Sequence, residues 1–191
     1  MMDETNPSAL SDDDVLLKVA AGEVEYFSVF YERYVTRIYN YIYYRTGNQF
    51  EAEDLTERVF YRALGRIGSY RNKGVPFSAW LYRIAHNLVA NWHRDNSRRH
   101  EVPLEDFSQT LRHGEHPEFS LIASMENEEL IKTLRQLPSE RQQLIILKFV
   151  DDLSNAEIAV IMGRSEGAIK SLYHRTLLAL RKEAGEDIID D

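Results

Sequence analysis

The sequence predicts an all-α protein: two helical domains joined by a flexible linker, the C-terminal one a helix-turn-helix. Three observations carry this. Apolar residues recur at three- and four-residue steps through residues 23–100 and 122–182, the spacing of one helix face. The periodicity disappears from Glu101 to about Glu118, where Pro103, Gly114 and Pro117 interrupt an acidic, polar stretch, as a linker does. Ser154 precedes Glu157 by three residues and Gly163 closes the apolar stretch that follows, which marks a capped helix running into a tight turn. The chain divides into an acidic N-terminal segment with a short helix (1–22), a helical bundle (23–100), an acidic linker (101–121), the helix-turn-helix domain (122–182) and an acidic tail (183–191).

Taken in order, Ser11 with Asp12, Asp13 and Asp14 caps a first helix that ends at Gly22. The acidic run reads as a solvated helix start. A long helix is expected from Glu23 to Thr46, with Phe27, Phe30, Tyr34, Ile38, Ile42 and Arg45 on one stripe, broken by Gly47-Asn48. A third runs from about Glu51 to Leu64 with Ala52, Leu55, Val59 and Leu64 inward. Residues Gly65–Val75 read as a basic, aromatic loop. Pro76 then starts a fourth helix, proline being favoured in a first turn. Its buried stripe is Phe77, Leu81, Ile84 and Leu88. Beyond the linker, helix returns from about Ile122 to Gln136. Another capped helix opens at Pro138-Ser139-Glu140 and buries Leu144, Ile145, Leu147 and Phe149. Ile158, Ile161 and Met162 face inward in the first helix of the helix-turn-helix, and Ile169, Leu172, Thr176 and Leu180 in the second.

Composition narrows the function classes. An apolar fraction of 43% supports real cores, and the chain has no cysteine, hence no disulfide or thiolate metal site. With no secretory signal and no membrane-length apolar run, the cytoplasm is the expected compartment. Net charge is −8, which taken alone argues against nucleic acid, but its distribution does not. Residues 23–100 carry +4 and residues 138–182 carry +2, while the flanks and linker are acidic. Local charge decides where a polyanion binds.

Two polar stripes carry candidate chemistry. Lys170, Ser171, His174 and Arg175 share a face of the last helix, and such donors suit phosphates and base edges. A solvated face of an ordinary bundle helix has the same spacing. On the fourth helix, Trp80, Arg83, Asn87, Asn91, Arg94 and Arg98 combine stacking, edge-reading and phosphate-neutralising groups, which single-stranded bases require. A Trp packed on the bundle beside a polar outer face fits equally. His86, His93 and His100 recur every seven residues, but seven helical residues rise about 10 Å, too far for ligands that must each lie about 2 Å from one zinc. No cofactor is expected. An enzyme acting on nucleic acid finds no phosphate-binding glycine loop and no nucleophile with an adjacent base. An operator-binding regulator with an N-terminal sensor bundle stays open on the helix-turn-helix alone.

The strings Ala52-Glu53-Asp54-Leu55-Thr56-Glu57-Arg58-Val59-Phe60, Phe77-Ser78-Ala79-Trp80-Leu81-Tyr82-Arg83-Ile84-Ala85-His86-Asn87 and Leu137-Pro138-Ser139-Glu140-Arg141 precede the helix-turn-helix in that order. Together they resemble the bacterial RNA polymerase sigma factors of the extracytoplasmic-function type, which keep only the second and fourth sigma domains. The resemblance covers roughly residues 23–99 and 122–182. It implies a protein that binds core RNA polymerase, directs it to promoter DNA and promotes melting. Asp54, Glu57 and Phe60 would dock on the clamp helices of the largest polymerase subunit. Trp80, Arg83, Asn87, Asn91, Arg94 and Arg98 would recognise the −10 element. Ser165, Lys170, Ser171, His174 and Arg175 would read the −35 element as duplex. It leaves open whether an anti-sigma factor is a further partner.

Overall fold

The computed structural model describes residues 9–70, 75–100 and 132–183. Every regular element in it is helical. Helix α1 (Asp12–Ala20) starts with a complete capping box, in which the Ser11 hydroxyl accepts from the Asp14 amide and the Asp14 carboxylate accepts from the Ser11 amide. A 3₁₀ turn (Val24–Tyr26) leads into α2 (Phe27–Thr46). The single helix expected over 23–46 is therefore split, because Glu23 pairs back to Lys18 at 3.3 Å and Lys18 sits over the Tyr26 ring. Gly47 ends α2 at φ 65°, a left-handed conformation that glycine adopts without a Cβ penalty. Asn48 caps α3 (Gln49–Arg66), so this helix starts earlier than expected and runs past Leu64. It carries through Gly65 into a 3₁₀ turn (Ile67–Ser69), which shortens the expected loop; residues 71–74 of that loop lie outside the described residues. Helix α4 spans Phe77–His100. The linker and most of the helix expected over 122–136 lie outside the described residues; 132–136 are helical.

Helix α5 (Ser139–Ile145) passes into a π turn (Ile146–Val150), then come α6 (Asn155–Met162) and α7 (Glu166–Glu183). The expected side-chain cap at the start of α5 does not form. The Ser139 hydroxyl instead accepts a hydrogen bond from Arg45 of α2 at 2.8 Å.

In the N-terminal half α2, α3 and α4 pack on one another through an aromatic core. Phe30 stacks on Phe77 with ring centroids 3.8 Å apart, and Tyr41 meets Tyr82 edge-on at 5.3 Å. The acidic start of α1 is not simply solvated. Arg33 donates to the Asp12 carboxylate and the Leu10 carbonyl, and Tyr34 donates to Asp12, tying α1 across α2. In the C-terminal half Leu134, Leu137, Leu144, Ile146, Leu147, Ile158, Ile161, Ile169 and Leu172 are buried together. Two residues expected inside are not. Leu64 is exposed, and Phe149 is 60% exposed, swung out by the wider π turn onto Tyr173 at 6.1 Å. Met162 and Leu180 are only partly buried.

Candidate nucleic-acid interface

The helix-turn-helix is assembled by local chemistry. Ser154 Oγ accepts from the Glu157 amide at 3.2 Å, and Glu157 Oε2 accepts from the Ser154 amide at 2.8 Å, which fixes the start of α6. The Ser154 hydroxyl, which also donates to Glu157 Oε2 at 2.7 Å, and then the Ser154 amide hold the Glu157 carboxyl below its ordinary pKa. Gly163 turns the chain at φ 65°, and the Arg164 amide returns to the Ala159 carbonyl at 2.9 Å. Ser165 Oγ then accepts from the Ala168 amide at 3.2 Å and caps α7. Ile169, Leu172 and Thr176 point inward, Thr176 satisfying its hydroxyl on the Leu172 carbonyl at 2.7 Å.

The stripe opposite is open. Ser165, Lys170, Ser171, His174 and Arg175 are all exposed. Lys170 pairs with Glu166 at 2.9 Å, a helical i, i+4 contact. Ser171 donates to the Gly167 carbonyl at 3.0 Å and Arg175 Nε to the Ser171 carbonyl at 3.3 Å. Exposed pairs of this kind are weak, so the cations are easily released to a phosphate.

The stripe on α4 is only partly open. Trp80 is half-buried, its ring 5.1 Å from Tyr70 and 5.5 Å from Phe77, and Tyr70 donates to the Val75 carbonyl at 2.7 Å across the loop. The indole is thus both packed and placed at the loop. Asn91 accepts from Arg94 at 2.9 Å. The Arg98 side chain lies outside the described residues. Arg83 reaches the C-terminal half: its Nη2 donates to the Val160 carbonyl at 2.7 Å, and Nε approaches the Ile161 carbonyl at 3.5 Å. Arg83, His86 and Asn87 line one side of a cleft of about 310 Å³, with Gln143, Ile161, Met162 and Gly163 on the other.

On α3, Asp54 and Glu57 are exposed, and Asp54 pairs with Arg58 at 3.3 Å. Phe60 is buried. It is 5% exposed and packs edge-on to Tyr31 at 5.0 Å, because one helical step turns it toward α2. The open aromatics on this helix are its neighbour Tyr61, 78% exposed, and Phe50 near its start, 58% exposed; Leu64 and, on α2, Tyr31 are also exposed. Choosing between adjacent aromatics from sequence depends on fixing the inward stripe to within one residue.

The residues sequence reasoning missed sit between the two halves. Arg45 is 1% exposed. Its Nη1 donates to Tyr41 at 2.8 Å and to His86 Nδ1 at 3.0 Å, and its Nη2 to Ser139. Burial first, then the Arg45 cation, pushes the His86 pKa down, consistent with a neutral imidazole accepting at Nδ1. Asp151, also buried, faces Tyr82 of α4, and burial raises its pKa to about 7. The only signal for these residues was Arg45 standing on an apolar stripe. Among the described residues no group of His, Asp or Glu is placed to hold a metal, and no helix is long and apolar enough to cross a membrane.

Comparison with known proteins agrees with both helical units. Residues 30–99 match the family model for sigma-70 region 2, and residues 127–180 that for sigma-70 region 4. The ECF RNA polymerase sigma factor BldN of Streptomyces coelicolor is 38% identical over 185 residues, spanning 95% of this chain and 70% of that one. The ECF sigma factor SigW of Bacillus subtilis is 31% identical over 174 residues, 87% of this chain and 92% of its own. The fold is shared with CnrH, solved in complex with the cytosolic domain of CnrY, at a TM-score of 0.68 and 18% identity, covering 91% of this chain and 97% of that one. With both regions present in order and relatives matched over most of their length, the chain belongs to the ECF sigma factors, transcription initiation factors that direct RNA polymerase to promoters.

Proposed function

We propose that the two halves divide this work as follows. The bundle over 23–100 docks on core RNA polymerase through the exposed Asp54 and Glu57 of α3, joined by Tyr61 in place of the buried Phe60. Helix α4 captures the −10 element during melting: Trp80 stacks on a displaced base, Asn87 and Asn91 read base edges, and Arg83, Arg94 and Arg98 neutralise phosphates. The domain over 122–182 places α7 in the major groove at the −35 element, where Lys170, Ser171, His174 and Arg175 make contacts and Ser165 steadies the helix start. The protein performs no catalysis of its own, needs no cofactor, and acts in the cytoplasm. An anti-sigma factor is a fitting additional partner.

The observation that most supports this reading is the open stripe of α7. Four donors stand on one face beyond a glycine-closed turn, the arrangement by which a recognition helix meets a duplex. A reconstituted reaction tests it, with purified chain, core polymerase and a library of promoter fragments. Initiation is expected only with both proteins present, and is expected to fall for Asn87→Ala and Lys170→Ala while core binding survives. Tight duplex binding by the chain alone, with no affinity for core, would instead make it an operator-binding regulator.

A further inference from the structure

One acidic group stands among the donors on the open stripe of α7. Glu166, Lys170 and His174 recur at every fourth residue and are all exposed, so they share one face of the helix. The Glu166 carboxylate lies 2.9 Å from the Lys170 ammonium, with 50% of its side chain open to solvent. Glu183, the only other carboxylate in the sequence of α7, is seventeen residues further along, about 25 Å by helical rise. Arg164, in the turn before α7, is engaged elsewhere, paired with Glu140 of α5. Among the described residues Lys170 is therefore the one ion-pair partner of Glu166.

In the free chain this carboxylate has two ordinary supports, the i, i+4 pair and the positive end of the helix dipole. A duplex changes its surroundings. The first residues of a recognition helix approach base edges, in a groove about 12 Å wide whose walls carry the phosphates. Those phosphates draw Lys170 away and leave the carboxylate in a negative potential. What stabilises it there is a hydrogen bond donated by a base.

The major groove supplies few such donors. Guanine shows the acceptors N7 and O6, and thymine the acceptor O4, and these repel a carboxylate. Adenine offers its N6 amine with the N7 acceptor beside it. Cytosine alone offers an amine, N4, with no acceptor of its own on that edge.

We infer that Glu166 is a base-reading residue: its carboxylate accepts from the N4 amine of a cytosine in the −35 element, while Lys170 moves to the DNA backbone. The inference rests on the proposed assignment of α7 to that element and adds the sequence preference. Two residues one helical turn apart divide the work. Lys170 contributes affinity common to all sequences, and Glu166 removes affinity from the wrong ones.

The test is selection by core polymerase loaded with the full chain, from promoter fragments randomised across the −35 element. The parent should enrich cytosine at one position about tenfold over guanine and thymine, the discrimination of one good base contact. Glu166→Gln should move the preference there to adenine, because an amide both accepts from N6 and donates to N7. Glu166→Ala should erase it. In both variants the preferences at the other positions should persist, which reports an intact α7. Lys170→Ala should weaken binding to all sequences alike and keep the cytosine preference. Unchanged preferences in both Glu166 variants, or uniform tightening for all four bases in Glu166→Ala, overturn the inference; so does a cytosine preference lost with Lys170→Ala instead. A parent that selects no sequence at the −35 element overturns the proposed role of α7 first, and this inference with it.

Discussion

Tyr82 on α4 and Asp151 behind the π turn meet in the buried junction, with Arg37 and Tyr41 of α2 also within electrostatic reach of the pair. Burial raises the Asp151 pKa to about 7 from an ordinary 3.8, while Tyr82 and Arg37 pull it part of the way back. Between these values the folded chain holds a proton that the unfolded chain has released. The contribution of Asp151 to stability is therefore greatest below about pH 4, falls as pH rises, and levels off above about pH 7. Asp151→Asn cannot ionise and should flatten that segment of the curve, leaving the variant more stable than the parent at pH 8. Urea midpoints across pH 4–8 for both proteins check it; parallel curves would exclude the assignment.

Two glycines at the ends of one turn should respond oppositely to alanine. Gly163 has φ 65° and open space where a Cβ would go, so the cost of Gly163→Ala is that of the left-handed backbone, about 1–2 kcal/mol. Gly167 lies in the first turn of α7, also with open space. There alanine should stabilise by about 0.5–1 kcal/mol. Thermal unfolding of the two variants gives the signs directly.

Lys170 pairs only with an exposed neighbour on its own helix, so its removal should leave stability nearly unchanged. If its charge meets a phosphate, Lys170→Ala weakens binding to a −35 duplex and lowers the slope of log affinity against log salt by about one. Equal slopes for parent and variant would place the lysine away from the DNA backbone.

The aromatic core gives a large, simple expectation. Phe30 is fully buried and stacked on Phe77, and Phe30→Ala should cost about 3–5 kcal/mol. A loss below about 1 kcal/mol in denaturant would mean that the bundle refills the space.

What the sequence made legible was local. Both capping boxes, the glycine stops at Gly47 and Gly163, and the inward stripes of α2 and α7 depend on residues within one or two turns of each other. The open stripe of α7 was legible for the same reason. Errors fell where a small rotation decides: Leu64 past its expected helix end, and Phe149 on a turn whose wider pitch no periodicity announces. The junction was illegible because its contacts join residues 77 to 98 positions apart. Arg45 could be placed on an inward stripe from its spacing, but nothing near it in sequence names Ser139. Likewise Ser139 reads as a helix cap until a guanidinium from the other half claims its hydroxyl.

Both tryptophans of the chain stand on α4, Trp80 beside Tyr70 at its start and Trp92 two-thirds of the way along. The protein is thereby its own optical instrument. Excited selectively at the red edge of the indole band, the unmodified chain emits from this one helix, without signal from α7. Base stacking on Trp80 would quench that light, so the melting of a promoter and the arrival of a strand at α4 could be followed in real time with no dye attached.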